Sequence, residues 1–164
     1  MTPRVGQGFD AHRLAPGRPL RLGGVEIPYE RGLVGHSDGD VLLHAIARAL
    51  LGALGAGDLG RHFPSSEERW RGVESGLFVR ETAQRVRAAG YALGNLDATL
   101  IAEAPRLAPH QEAMRRSVAA LLDAKPERVN VQITSTDGLG AIGRGEGIAA
   151  QAVVLLEATP GSVA

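Results

Sequence analysis

The chain has no cysteine. That excludes a disulfide scaffold, thiolate zinc fingers, iron–sulfur clusters and a cysteine nucleophile. Aromatic residues are scarce at 4%, so any core must be assembled from small aliphatic side chains. Lysine is nearly absent: apart from Lys125, every basic residue is arginine. An excess of either sign is also missing, because 18 Lys+Arg balance 18 Asp+Glu for a net charge of +0. No global field therefore points to nucleic acid or to an anionic membrane as a partner. No run approaches the ~18 apolar residues of a spanning helix. The opening Met1-Thr-Pro-Arg-Val-Gly-Gln-Gly8 has no apolar segment of the secretory type. The expectation is a soluble, cytoplasmic enzyme or binding domain.

What is present suits one folding unit. A length of 164 residues implies a single domain over 1–164, with 44% hydrophobic and 22% charged residues to build and solubilise it. No internal repeat or low-complexity linker divides the chain. Strand and helix patterns alternate along it. Arg4–Phe9 reads as a strand running into Asp10-Ala-His12. Leu20–Ile27 reads as a hairpin around Gly23-Gly24. Val41–Leu54 has apolar residues at helical spacing, with Asp40 as its N-cap. Gly55–Ser66 reads as a loop. Ser75–Ala89 reads as a second helix with Leu77, Val79, Thr82, Ala83 and Val86 inward, ended by Gly90. Asn95–Ala102 alternates as a strand, Leu107–Asp123 makes a third helix and Val129–Thr134 another strand. Ile148–Leu156 is apolar on both faces, as in a strand covered on both sides by helices and a partner subunit. The fold class is α/β or α+β, a layer of helices on a mixed sheet.

Candidate chemistry starts at Asp10-Ala-His12. Residues two apart on a strand share a face, so this carboxylate and imidazole can converge on one ion. Such a pair is also common as plain strand polarity. His44, about one turn into the helix capped by Asp40, stands among Leu43, Ala45 and Ile46, where the plainer reading is a hydrogen-bonded core histidine. Together, Asp10, His12 and His44 would form a one-carboxylate, two-imidazole set with a fourth position open, the layout of a catalytic zinc site.

Thr134-Ser-Thr-Asp-Gly-Leu-Gly-Ala-Ile-Gly-Arg-Gly-Glu-Gly147 contains Gly138-x-Gly140-x-x-Gly143. A dinucleotide fingerprint needs a strand before its glycines and a helix after them. Here more glycines and a strand follow, so that reading is rejected, and no Walker A motif is present. A long glycine-rich loop in a small domain suggests binding. The hydroxyls of Thr134, Ser135 and Thr136 beside Asp137 suit phosphate oxygens and a hard cation; the alternative is a loose hairpin loop. Ala102-Glu-Ala-Pro-Arg-Leu-Ala108 hands a strand over to a helix N-terminus, which offers amides to anions, with Arg106 adding charge. As a common kind of turn it serves equally as a plain connection.

Five separated motifs then occur in register along nearly the whole chain. They are Gly6-x-Gly-Phe-Asp-x-His12, His36-Ser-Asp-Gly-Asp-x-x-x-His44, Gly57-Asp-Leu-Gly60 with Phe63-Pro64, Ala104-Pro105, and Gly143-Arg-Gly-Glu-Gly147. In this the sequence resembles the 2-C-methyl-D-erythritol 2,4-cyclodiphosphate synthase family of the non-mevalonate isoprenoid pathway. The resemblance implies a homotrimer with active sites between subunits. It also implies conversion of 4-diphosphocytidyl-2-C-methyl-D-erythritol 2-phosphate to the 2,4-cyclodiphosphate plus CMP. By the same resemblance, Asp10, His12 and His44 match the zinc ligands, with Asp38 or Asp40 available to orient a ligand histidine. His36 and Ser37 match the residues holding the methylerythritol phosphate. Asp58, Leu59 and Gly60, with Phe63, Pro64, Ser65, Ser66 and Glu67, match the rest of that pocket. Ala102, Glu103, Ala104, Pro105, Arg106, Leu107 and Ala108 match the cytidine-binding turn. Thr134, Ser135, Thr136 and Asp137 match the loop meeting the diphosphate. His36 and Ser135 fall at the transition-state stabilisers, and Arg144 and Glu146 at the trimer's central channel.

Four positions depart from the family pattern. Asp137 stands where Glu is usual as ligand of a bridging magnesium or manganese ion; one methylene shorter, it is expected to reach that ion through water. Ser135 replaces Thr and keeps the hydroxyl. Arg48 occupies a position often acidic in relatives. Ala141 replaces a channel Phe, which removes a contact for any channel ligand. Two other function classes fit the same residues: a metal-dependent phosphohydrolase, and a non-catalytic trimer binding isoprenoid diphosphates.

Overall fold

Gly6 and Gly8 decide how the first strand meets the first helix. In the computed structural model, which describes residues 1–159, strand β1 (Arg4–Pro16) runs directly beneath helix α1 (Val41–Leu54). A Cβ on Gly6 would lie 1.9 Å from the Ala49 carbonyl oxygen, and one on Gly8 2.1 Å from that of Ala45. Only glycine permits this approach. Facing it, the helix presents Ala45, Ala49 and Ala53, so small residues on both elements bring the backbones together.

Helix α1 is the centre of the core. It is buried nearly all round, against β1 and β7 on one side and α3 on another. Leu42, Leu43, Leu50 and Leu51 are buried almost completely, each worth about 2 kcal/mol relative to exposure. Its N-terminus is fixed by Asp40, whose Oδ1 accepts from the Leu43 and Gly23 amides at 3.1 and 2.9 Å, and whose Oδ2 accepts from the Gly24 amide at 2.7 Å. Complete burial pushes the Asp40 carboxyl up, against those three amide hydrogen bonds. The same side chain thereby caps α1 and ties down the turn between β2 (Leu20–Leu22) and β3 (Val25–Ile27). That turn has both glycines at positive φ, 61° and 77°, as a tight hairpin requires. Gly55 ends the helix at φ 65°.

The remaining elements are β4 (Arg31–Leu33), α2 (Leu59–His62), α3 (Gly76–Ala88), β5 (Tyr91–Ile101), α4 (Gln111–Leu122), β6 (Val129–Thr134), α5 (Gly140–Gly143) and β7 (Gly147–Ala158). The main sheet has the order β4-β1-β7-β5-β6. It is mixed: β5 and β6 are parallel, joined through α4, and the other pairs are antiparallel. The expected mixed sheet with a helical layer is thus present. No helix among the described residues is long and apolar enough to cross a membrane.

Several boundaries differ from the sequence reading. β1 runs on to Pro16, because β7 and then β4 supply partners past Phe9. β5 starts at Tyr91 and absorbs Gly94 in an irregularity between Leu93 and Asn95. α4 begins at Gln111 rather than Leu107, since Pro109 supplies no amide to a helical ladder and the chain makes a 3₁₀ turn over Ala108–His110 first. The stretch expected as loop over 55–66 contains α2, capped by Asp58. The glycine-rich 134–147 stretch contains α5. On α3 it is Phe78 that turns inward, with Leu77 half-buried, because Phe78 stacks on Phe63 at 4.6 Å. Within the chain, the helices cover one face of β7. Ile148, Ala150, Ala152, Val154 and Leu156 are sealed beneath the helices, while Gln151 and Val153 on the other face are exposed beside Val5 and Phe9 of β1.

Gly8→Ala should lower the unfolding free energy by at least about 2 kcal/mol through overpacking. Gly52→Ala, exposed on the same helix with nothing nearer than 3.6 Å, should raise it by about 0.5–1 kcal/mol. Urea unfolding of both variants checks the pair.

Candidate metal centre

Past Gly8, the next two residues on the helix-facing side of β1 are Asp10 and His12. α1 runs the opposite way, so its N-terminal turn lies over them and His44 comes down onto the pair. Asp10 Oδ2 is 2.9 Å from His12 Nε2 and 2.9 Å from His44 Nδ1, and the two ring nitrogens are 3.0 Å apart. These three atoms form the group able to hold a metal ion among the described residues. Ligand atoms around a tetrahedral zinc ion sit about 3.3 Å from one another, so the donor set fits such an ion after slight spreading. Burial pushes the Asp10 carboxyl up, but hydrogen bonds and charge from His12 and His44 outweigh it and hold the group well below the usual carboxylate range. Asp10 therefore stays an anionic ligand.

The far side of His44 is also fixed. Its Nε2 lies 2.9 Å from Ser75 Oγ and 3.0 Å from Ser37 Oγ, both buried. Ser75 Oγ donates to Asp38 Oδ1, and the Ser75 amide donates to Asp38 Oδ2 at 3.1 Å. With its proton directed at Asp38, Ser75 accepts from Nε2–H, which fixes the ring with Nδ1 turned to Asp10 and His12. Ser75 occupies the N-cap position of α3, yet its hydroxyl makes no cap bond. Of the two carboxylates available to orient a ligand histidine, Asp38 reaches His44 through Ser75, and Asp40 is engaged by the three backbone amides.

A cavity of about 230 Å³ opens beside the cluster, lined by Asp10, His12 and His44 together with His36, Ser37, Arg48, Leu59, Gly60, Phe63, Ser65, Trp70 and Phe78. In a chain with one Trp, two Tyr and three Phe, three aromatic side chains form one wall: Trp70 meets Phe63 and Phe78 edge-on at 5.1 and 5.9 Å. His36 Nε2, Arg48 Nε and Trp70 Nε1 are buried without a hydrogen-bond partner. Unpaired buried polar atoms are costly, and here three of them belong to residues lining one cavity.

The structure thus gathers His36, Ser37, Leu59, Gly60, Phe63 and Ser65 around the three expected ligands. Asp58 caps α2, its Oδ1 accepting from the Arg61 amide at 2.9 Å. Pro64, Ser66 and Glu67 lie outside the lining, Glu67 pairing with Arg69 at 2.5 Å. The other expected residues assemble elsewhere. Ala102 donates its amide to the Thr134 carbonyl at 3.0 Å, and Gly138 donates to Glu103 Oε2 at 3.4 Å. The 102–108 turn and the 134–137 loop therefore meet each other. Asp137 is exposed and receives the Ser135 hydroxyl proton at 3.2 Å. Arg144 and Glu146 form an exposed ion pair at 2.6 Å. Ala11, Ala149, Ile101 and Thr134 are paired across the sheet at one level, so the second cluster lies three strand spacings from the first, about 14 Å. Within one chain they are not brought together. The sequence reading missed Ser75, Trp70 and Phe78; the lone tryptophan and a serine just ahead of a helix were the available signals.

Comparison with known proteins bears on this arrangement. Residues 3–157 match the model of the YgbB family. A protein of Alkalilimnicola ehrlichii named 2-C-methyl-D-erythritol 2,4-cyclodiphosphate synthase is 59% identical over 154 residues, covering 93% of this chain and 94% of its own. A solved structure of 2C-methyl-D-erythritol-2,4-cyclodiphosphate synthase in a CDP-bound form superposes with TM-score 0.87 at 41% identity, over 94% of this chain and 100% of that one. The bifunctional IspDF of Campylobacter jejuni superposes with TM-score 0.92 at 39% identity, over 96% of this chain and 42% of that one. The chain thus spans less than half of that longer protein.

Removal of the Ser75 hydroxyl should weaken metal binding by about tenfold, the usual effect of losing a group that orients a ligand. Competition for zinc between Ser75→Ala and a chromophoric chelator measures this, with His44→Ala as the variant that loses tight binding altogether. Unchanged affinity in Ser75→Ala would show that the Asp38–Ser75 pair does not act on His44.

Proposed function

The chain belongs to the YgbB family, and from that premise we propose that it carries out the reaction of its named relatives, cyclodiphosphate synthesis in isoprenoid biosynthesis. The substrate is 4-diphosphocytidyl-2-C-methyl-D-erythritol 2-phosphate. An oxygen of its 2-phosphate attacks the β-phosphorus, the bond from that phosphorus to the α–β bridging oxygen breaks, and CMP leaves with the bridging oxygen. No water is consumed, so the enzyme is a phosphorus–oxygen lyase. The observation that carries this reading is the convergence of three metal-ligating atoms with three unpaired buried polar atoms around one cavity. That combination suits a polyanion delivered to a cation.

The obstacle is charge. Nucleophile and electrophile are both anionic, and two unit charges ~4 Å apart repel by about 4 kcal/mol at an effective dielectric near 20. Asp10, His12 and His44 would hold a divalent ion, zinc by their donor set, which when bound would supply positive charge against the diphosphate. The chain's own residues position the reactants. His36 and Ser37 hold the methylerythritol phosphate in the cavity, with Asp58–Gly60 and residues 63–67 around the carbon chain. The 102–108 turn takes the cytidine. Thr134–Asp137 meet the diphosphate, where Asp137 would hold a magnesium or manganese ion through water. His36 and Ser135 stabilise the charge that builds as the new bond forms.

The separation of these two groups within one chain, about 14 Å by three strand spacings, supports a homotrimer in which the 102–108 and 134–137 segments of one subunit face the cavity of its neighbour. The open sheet face agrees with this. Val5 is 67% exposed and Phe9 55%, an apolar surface that a second copy would cover. Arg144 and Glu146 then face the central channel, which Ala141 leaves without an aromatic contact. We read residues 1–164 as one such domain, working in the cytoplasm.

Phosphorus NMR of the protein with substrate, zinc and magnesium tests the reaction. The expected product is a cyclic diphosphate with stoichiometric CMP. CMP with a linear diphosphate would identify a phosphohydrolase. No turnover by folded, metal-loaded protein would leave the non-catalytic binding role. Asp10→Asn and His44→Ala should each reduce turnover at least about a hundredfold, while sedimentation shows the trimer intact.

A further inference from the structure

Arg48 lies one turn beyond His44 on α1 and lines the same cavity. It divides the Asp10 carboxylate with the ligand cluster. Oδ2 faces the two imidazoles at 2.9 Å, whereas Oδ1 faces Arg48 Nη2 at 3.9 Å. At that distance the contact is a charge interaction and not a hydrogen bond. Arg48 Nε is buried and has no partner. The side chain leaves α1 at the β1–α1 contact, where a Cβ at Gly8 would stand 2.9 Å from the Arg48 Cβ. A structural arginine would spend its donors on carbonyls or carboxylates, and a surface arginine would spend them on water. This guanidinium does neither completely: it is 37% exposed and stands beside the three atoms able to hold a cation.

We propose that Arg48 is a phosphate-binding residue of this site, a fixed positive charge that works beside the metal on the same diphosphate. The inference rests on the functional reading above and adds a residue to it. Guanidinium presents a planar fork of donors suited to phosphate oxygens. Arg48 and the metal ion approach one carboxylate from its two oxygens. They repel each other and both attract the substrate. Neutralising Arg48 therefore strengthens metal binding and weakens diphosphate binding at the same time. A merely structural role would produce losses in both.

The test measures zinc and CDP separately in Arg48→Gln and Arg48→Lys. Zinc affinity by chelator competition should rise about fivefold or more in Arg48→Gln, from loss of a like charge. CDP affinity at saturating zinc, by calorimetry, should fall about tenfold, from loss of a charge-assisted contact. Arg48→Lys should restore most of both. Zinc affinity that is unchanged or lower in Arg48→Gln, or CDP affinity within about twofold of wild type, would overturn the role of Arg48. Wild-type protein that fails to bind zinc or CDP would instead overturn the functional reading on which it rests.

Discussion

The site depends on how closely one helix lies on one strand. Gly6 and Gly8 on β1, against Ala45, Ala49 and Ala53 on α1, let the two backbones approach with nothing between them. Continue along both elements and the small residues give way to Asp10 and His12 below and His44 and Arg48 above. The same alternation that makes room for the helix at residues 6 and 8 aims the carboxylate and imidazole at it from residues 10 and 12. A cluster with 2.9–3.0 Å edges follows from that spacing. A larger side chain at Gly8 would lift the helix and widen the cluster together.

Around this contact the protein spends its polar burial in one place. Ser37, Asp40, His44, Ser75 and Thr82 are the buried polar residues, and all but Thr82 serve the start of α1 or the imidazole on it. Asp40 fixes the helix terminus, while Asp38 and Ser75 fix the ring. Complete pairing of such groups is what makes them tolerable inside an aliphatic core. Three of the four unpaired buried side-chain atoms among the described residues, by contrast, sit on His36, Arg48 and Trp70 at the cavity, the fourth being Arg31 Nε. A chain of zero net charge thus gathers most of its unmet polar demand beside one cavity, which is what an anionic substrate needs of a neutral protein.

Local pattern carried much of this into the sequence. The i, i+2 spacing of Asp10 and His12, the helical period of 41–54 and the Gly23-Gly24 turn all depend on neighbours along the chain, and each is present in the structure. His44 as a partner of Asp10 was harder to see, because a core histidine and a ligand histidine have the same apolar neighbours. Ser75 was hidden for a different reason. Its role arises where α3 meets α1, and from sequence alone it is simply a helix cap. Phe78 was masked by Leu77, since helical period cannot separate two adjacent apolar residues when an aromatic cluster from another segment decides between them. The short elements β4, α2 and α5 carry too few residues for any period to register.

The ligands Asp10, His12 and His44 also stand on elements whose packing is finished without an ion. α1 is sealed by leucines and alanines, and β1 is hydrogen-bonded to β7 from Arg4 to Arg13. An ion held by these three residues would add to the stability of a fold that its other contacts already build, unlike in small zinc domains where metal binding is itself the folding free energy.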